Sequence, residues 1–285
     1  MPGAAAAIAL CAAAVLAWLL ASPILAARRR RAAMARPLPP EAIACIERNV
    51  PLRRRLPADL AGRHDGLVSA FLAEKEIVGC GGLAVTDEIR ATIAALACLL
   101  VIGRRGHYDA LRSVLVYPSA FWVEDEVEDE AGVVEKRRRD LSGEAWESSR
   151  IILSWEDVLE AAHHPGEGYN VALHEFAHYL DAEGMGLAAP PAGGPRETGS
   201  RSPAAGRPRG LEAWSAEVIQ EFEALQESVG RDDETFLDPY AAEDENEFFA
   251  VATEDFFERP CELRQEHPRL YALLQEFYGL DPAAW

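Results

Sequence analysis

"VALHEFAHYLD", residues 171–181, carries two histidines and a glutamate within an otherwise largely apolar segment. His174 and His178 are four residues apart, so on a helix both imidazoles lie on one face, one turn above the other. Two imidazoles directed at one point suit tetrahedral zinc. Glu175 follows the first histidine directly, where it reaches a water at the metal without ligating the metal itself. The pattern predicts a zinc-peptidase helix; an ordinary buried helix that carries two histidines is the alternative.

A catalytic zinc needs a third protein ligand and one open position. A third histidine ten residues after the first is absent, because position 184 is Gly184. This excludes the H-E-x-x-H-x-x-G-x-x-H class of zinc site. The other source is a glutamate from a later helix, and the candidates are Glu217, Glu221, Glu247 and Glu254.

Glu247 is the favoured third ligand. It begins an otherwise apolar helical face, which includes Phe248 and Val251 and is expected to pack inward. An unpaired carboxylate on such a face is costly, so it needs a cation partner. Glu254 lies two turns further along the same face, which suits the orientation of a metal ligand better than ligation.

The composition limits the class of protein. The chain has 285 residues, of which 49% are hydrophobic, and this suffices for one large or two small domains without disulfide support. The formal net charge of -19 argues against a nucleic-acid partner, since nucleic-acid-binding proteins carry a basic face. The five cysteines form no CxxC pair, so we expect buried thiols in a reducing compartment rather than a zinc ribbon or a thioredoxin-type site.

Residues 4–27 differ from the rest of the chain, because they carry no charge and are followed at once by Arg28 to Arg31. As a helix they span ~36 Å, against a bilayer core of ~30 Å. The positive-inside rule keeps the arginines in the cytoplasm. We therefore expect a single-pass anchor in the inner membrane with the catalytic domain in the cytoplasm. A cleaved signal peptide fits less well, because the basic residues follow the apolar run; a purely cytoplasmic location is a further alternative.

After this transmembrane segment we expect two parts, a basic juxtamembrane and lead-in segment over residues 28–60 and a zinc peptidase domain over residues 61–285. Residues 184–210, rich in Gly, Pro and Ser, predict a flexible loop inside that domain.

Helical periodicity dominates the chain, and Thr86 suits the N-cap of the helix that follows it. "SVLVYPSAFWV" (113–123) and "RIILSW" (150–155) predict strands. Pro118 interrupts the first of these, which indicates an edge strand or a bend. The expected fold class is α+β, helix-rich, with a small mixed sheet.

"HEFAHYLD" (174–181) followed by "YAAEDENEFFAVATEDFF" (240–257) resembles the Mlc titration factor A family of zinc peptidases. "CGGLAVTDEIRATIAALACLL", "LRSVLVYPSAF" and "ILSWEDV" are also similar to that family, so the resemblance covers nearly all of residues 36–280. The tract "NEFFA" is similar, in addition, to the third-ligand helix of the lethal-factor-type gluzincins.

The resemblance implies a zincin-like metallopeptidase domain of gluzincin type with one Zn²⁺ per chain. It implies that Glu247 binds zinc beside the two histidines and that Tyr240 lies near the metal, where it supports the tetrahedral intermediate. It also implies aminopeptidase-like cleavage of short peptides. The family is named for sequestering a glucose-responsive transcriptional repressor, so such a repressor is an expected partner, and repressor binding is the alternative function. Glu175 favours the enzyme, because a pure binding protein has no need of a general base.

Two features depart from the family, the apolar N-terminal segment and the length of the loop at 184–210. One ligand partner is also unassigned. Thermolysin-type peptidases carry an aspartate four residues after the glutamate ligand, and Val251 occupies that position here. Another group must therefore orient His174, and Asp181 is one candidate.

Overall fold

The structure, a computed structural model, describes residues 2–104, 107–119, 122–128, 134–140, 149–182 and 216–285. The predicted loop at 184–210 lies outside these residues. The α-helices in the described ranges are α1 (Pro2–Met34), α2 (Pro40–Asn49), α3 (Ala58–Glu74), α4 (Asp87–Val101), α5 (Trp155–His163), α6 (Val171–Leu180), α7 (Ala216–Gly230), α8 (Glu245–Glu258), α9 (Pro260–Glu266) and α10 (Pro268–Tyr278). The strands are β1 (Glu76–Gly79), β2 (Ser113–Tyr117), β3 (Trp122–Glu128), β4 (Val134–Asp140) and β5 (Arg150–Ser154). Short 3₁₀ turns cover Pro51–Arg55, Pro239–Ala242 and Pro282–Ala284.

The main sheet has the strand order β1-β2-β5, and both pairings are parallel. Val114 pairs with Ile77 on one side and with Ile151 on the other. Parallel neighbours need long crossovers; α4 lies in the first one, and the antiparallel pair β3–β4 lies in the second. The prediction of a helix-rich α+β fold is confirmed. The prediction of a mixed sheet is wrong for the described strands, because β3 and β4 pair only with each other. The zincin-like fold stays a prediction.

Pro118 does not mark an edge strand. β2 ends at Tyr117 and is the central strand of the three, so the proline lies just beyond the hydrogen-bonded register. Its missing N–H therefore costs the sheet no hydrogen bond.

Helix α4 forms the centre of the core and supports α6 from behind. The Thr86 hydroxyl caps α4 by accepting a hydrogen bond from the Ile89 N–H at 3.3 Å, as the sequence predicted. The helix is apolar almost all round and is buried against α2, α3 and α6, as such a helix must be. On α6, the ring of Phe176 lies 6.0 Å from that of Phe71 and 5.1 Å from that of Tyr108, centroid to centroid. One face of α6 is thus fixed in the apolar core, which leaves its histidine face for another partner.

The predicted membrane anchor is wrong. Within the part of the chain that the structure describes, no helix is long and apolar enough to cross a membrane. The inner-membrane location is therefore contradicted, and a membrane partner has no support. The sequence argument separated residues 4–27 from the arginines, whereas the structure has one unbroken helix through Met34. Its charged end is bound to the rest of the protein, since Arg30 forms ion pairs with Glu74 at 2.9 Å and Asp109 at 2.8 Å.

Gly103, just after α4, provides a test of the packing between α4 and the end of α10. A Cβ at this position would overlap the carbonyl oxygen of Tyr278 and lie 2.8 Å from that of Gly279. We expect Gly103→Ala to lower the free energy of unfolding by about 1–3 kcal/mol. Gly62 in α3 is the matched control, because an added Cβ meets nothing within 4 Å there, and Gly62→Ala should raise the free energy of unfolding by about 0.4–1 kcal/mol. Urea denaturation followed by circular dichroism measures both, and equal effects would contradict the packing.

Candidate metal centre

The histidines and glutamates of the candidate site are positioned by α6 and α8, which pack against each other. Asn170 is the N-cap of α6, and its Oδ1 accepts a hydrogen bond from the Leu173 N–H at 3.2 Å. Asp244 is the N-cap of α8, and its Oδ1 accepts from the N–H groups of Asn246 at 2.8 Å and Glu247 at 3.0 Å. Capping satisfies N–H groups that helix geometry leaves unpaired, so both helix starts are well defined.

Three side chains converge where these helices meet. The Nε2 atoms of His174 and His178 are 3.0 Å apart. Glu247 Oε2 lies 3.0 Å from the first of them and 3.3 Å from the second. Of the described residues, these three alone form a group of metal-ligating atoms all within 4.8 Å of one another. The sequence predicted this trio as the metal ligands, and the structure brings its members together.

The donor atoms fit a cation at this point. Glu247 Oε2 is buried and makes no hydrogen bond of acceptable geometry, despite the two nearby nitrogens. A buried carboxylate oxygen without a partner is costly, and a cation between the oxygen and the two nitrogens would remove that cost. Two imidazole nitrogens and one carboxylate oxygen form a ligand set typical of catalytic zinc.

Glu254 supplies the group that orients His174. Its Oε1 lies 2.7 Å from His174 Nδ1. In the neutral ring, Nδ1–H donates to this carboxylate, and Nε2 keeps the lone pair that a metal would use. In thermolysin-type peptidases an aspartate at the position of Val251 orients the histidine. Here Glu254, three residues further along α8, contacts the histidine instead.

The electrostatics of the site couple metal binding to proton release. Burial lowers the pKa of His174, but the adjacent carboxylates of Glu247 and Glu254 outweigh burial and raise it to about 10. Burial raises the pKa of Glu247, but the two imidazoles hold it well below its usual range. Burial lowers the pKa of His178. Without metal, the His174 ring is thus an imidazolium between two carboxylates. A metal must displace the proton on its Nε2, so affinity for metal falls as the pH falls.

Glu175 and Tyr240 border the same cleft, which has a volume of about 600 Å³. Glu175 is only 4% exposed. Tyr240 is 43% exposed, and its ring centroid lies 6.2 Å from that of His174. Partial burial and then the charge of Glu247 raise the pKa of Tyr240 well above its usual range, so its hydroxyl keeps its proton and can donate it in a hydrogen bond. The structure thus places both predicted catalytic side chains beside the histidine pair.

The remaining third-ligand candidate with a described side chain lies elsewhere. Glu221 Oε2 is 2.9 Å from His267 Nδ1, away from α6. The side chain of Glu217 is not among the side chains that the structure describes.

Sequence reasoning missed Asn170 and Glu258. The Asn170 N–H donates to Glu254 Oε2, and its Nδ2 donates to Glu258 Oε1 at 3.0 Å. The one signal in the sequence was an asparagine directly before an apolar helical run, which predicts an N-cap. That pattern says nothing of partners more than 80 residues away.

The H-E-x-x-H helix, the glutamate from a later helix and the cleft beside them define a metallopeptidase-type site. Comparison with known proteins agrees, because the model of the Glucose-regulated metallo-peptidase M90 family matches residues 24–279. This chain belongs to that family.

Similar proteins support the same family assignment. The chain is 33% identical over 256 residues to an uncharacterized protein of Synechocystis, covering 89% of each chain. It is 32% identical over 243 residues to the Mlc titration factor A of Pectobacterium atrosepticum, covering 83% of this chain and 85% of that protein. It is 34% identical over 218 residues to the Mlc titration factor A of Serratia proteamaculans, covering 75% and 78%. The resemblance to the Mlc titration factor A family is thereby confirmed.

The two glutamates of α8 are distinguished by their effect on bound zinc. Glu247→Ala removes one of the three side chains that converge where a metal would bind, so we expect the purified variant to hold no zinc. Glu254→Ala leaves those ligands and should weaken zinc affinity by roughly 10- to 100-fold. Elemental analysis and chelator competition measure both, with Glu221→Ala as the control that keeps wild-type zinc. Stoichiometric zinc in Glu247→Ala together with loss in Glu254→Ala would contradict this assignment.

Proposed function

We propose that this protein is a zinc-dependent peptidase that binds one Zn²⁺ through His174, His178 and Glu247. The observation that carries the proposal is the convergence of two imidazole nitrogens on a buried carboxylate oxygen that has no hydrogen-bond partner. The cleft beside this point is large enough for a short peptide. Membership of a metallo-peptidase family supports the same reaction class.

Each residue at the centre has one task in the proposed reaction. When bound, zinc supplies Lewis-acid chemistry, which polarises a peptide carbonyl and lowers the pKa of water. The carboxylate of Glu175 accepts a proton from the attacking water and later delivers it to the leaving amine. The hydroxyl of Tyr240 donates a hydrogen bond to the oxyanion that develops on the carbonyl oxygen. Glu254 keeps the His174 ring in the tautomer and orientation that ligation requires.

Short peptides with a free amino terminus are the proposed substrates. Asp157 and Asp238 line the cleft. Arg259, the arginine found among the described lining residues, is bound to Asp255 at 2.6 Å. The surplus of negative charge attracts an α-ammonium group. Aminopeptidase-like action on short peptides follows from this electrostatic preference and from the confined volume.

A second candidate function is the binding of a transcriptional repressor, with peptide hydrolysis secondary. It is supported by the name of the relatives, Mlc titration factor A. The buried Glu175 beside the histidine pair favours the peptidase, because repressor binding needs no general base.

Replacement of the general base tests the reaction. Glu175→Gln should keep zinc and fold but lose hydrolysis by roughly 10²- to 10⁴-fold, because an amide cannot accept the proton of water. Peptide turnover, zinc content and thermal unfolding are measured together on contaminant-free protein. Glu160→Gln, an exposed charge change on α5, serves as the control with wild-type turnover. Undiminished turnover in Glu175→Gln would refute the peptidase proposal.

Amino-terminal acetylation tests the substrate class. Acetylation removes the positive charge, so an acetylated peptide should be cleaved roughly tenfold or more slowly, in kcat/KM, than the same peptide with a free terminus. Product analysis by mass spectrometry should show residues released from the amino end. Equal rates with internal cleavage would exclude the aminopeptidase while leaving the zinc peptidase intact.

A further inference from the structure

Three glutamates follow one face of α8. Glu247, Glu254 and Glu258 are spaced by seven and four residues, so their side chains lie one above the other. Glu254 is 3% exposed and Glu258 is 6% exposed. Carboxylates buried this deeply are retained only when their oxygens accept hydrogen bonds or ligate a cation.

The partners of the two inner glutamates meet at a single residue of the opposite helix. Glu254 accepts from His174 Nδ1 at 2.7 Å and from the Asn170 N–H. Glu258 accepts from Asn170 Nδ2 at 3.0 Å and from the Gly166 N–H at 2.9 Å. Asn170 is the residue that contacts both carboxylates among the described hydrogen bonds.

Capping alone does not explain an asparagine at this position. The cap of α6 uses only the Oδ1 acceptor, which Ser, Thr or Asp would also supply. The Nδ2 donor to Glu258 requires an amide, and an aspartate would bring a further buried negative charge against two carboxylates. Asn170 is 4% exposed and uses its N–H, its Oδ1 and its Nδ2.

We infer that Asn170 is a positioning residue for the metal centre. It fixes the start of α6 against α8 through Glu258 and holds Glu254 in the position from which that carboxylate orients His174. The same bonds anchor residues 166–170, of which Gly168 and Tyr169 form a wall of the cleft. The orientation of His174 and the position of the cleft wall therefore both depend on the hydrogen bonds of Asn170. This role rests on the proposed function, because it presupposes a metal at His174.

Two variants remove the link while sparing the metal ligands. Asn170→Ser keeps an oxygen that caps α6 but lacks the amide donor to Glu258. Glu258→Gln leaves the cap untouched and replaces one acceptor oxygen, so it tests the same path even where Asn170→Ser fails to fold. Thr86→Ala is the matched control, because it removes the N-cap of α4, which has no contact with the three glutamates among the hydrogen bonds of the described residues.

The measurements are the zinc dissociation constant by chelator competition, the visible absorption spectrum of the Co²⁺-substituted full chain, and thermal unfolding. We expect Asn170→Ser and Glu258→Gln to weaken zinc binding by about 3- to 10-fold, the worth of one hydrogen bond, and to shift the Co²⁺ spectrum. Thr86→Ala should unfold at a lower temperature with a wild-type dissociation constant and spectrum. Because the side chain of Asn170 acts through Glu258, Asn170→Ser should add nothing to the loss seen in Glu258→Gln.

Wild-type zinc affinity and Co²⁺ spectra in both variants, or additive losses in the double variant, would overturn the role of Asn170 and leave the proposed function standing. A wild-type chain that binds no zinc would overturn both.

Discussion

The imidazole of His174 lies between two carboxylates of a single helix, and the rest of the site depends on this arrangement. Glu254 approaches Nδ1 at 2.7 Å and Glu247 approaches Nε2 at 3.0 Å. Buried charges of this kind are tolerated only in a fixed geometry, since separation leaves each group without a partner. The contact therefore sets the spacing and rotation of α6 relative to α8. The two carboxylates differ in their other partners. Glu254 also accepts a hydrogen bond from the Asn170 N–H, whereas Glu247 Oε2 has no hydrogen-bond partner.

The apolar core holds α6 where this contact needs it. Phe176, two residues after His174, is fully buried against the rings of Phe71 and Tyr108. Behind them α4 is buried on nearly all sides. The H-E-x-x-H helix thus has an apolar face that fixes its position and a polar face that meets α8. The end of β5 forms part of the cleft wall. Packing of this density leaves little freedom for the histidine rings, which is what preorganised ligation requires.

The sequence predicted the parts of the site that are local in the chain. The spacing of His174 and His178 defines a helix face. The position of Glu247 at the start of an apolar face favoured it as the third ligand, and the resemblance to the Mlc titration factor A family implied the same residue. Contacts between distant segments were not accessible in this way. The position of Asn170 before an apolar helical run indicates at most a helix cap, and no sequence pattern pairs it with Glu258. Pro118 suggested an edge, because a sequence does not show that a strand ends one residue earlier. His64 has no local sequence pattern that indicates burial, yet it is fully buried with Nε2 2.9 Å from the Ala95 carbonyl oxygen. The apolar N-terminal run was misread, because composition does not show that Arg30 is bound to Glu74.

The central claim is that two imidazoles of α6 and one carboxylate of α8 hold the same zinc ion. X-ray absorption at the zinc edge of the purified full chain tests it most directly, since this method reports ligand types and distances without substitution. The account predicts two imidazole nitrogens at about 2.0–2.1 Å, oxygen ligands at about 2.0–2.2 Å and no sulfur. A sulfur shell at about 2.3 Å, or scattering from fewer than two imidazoles, would contradict it.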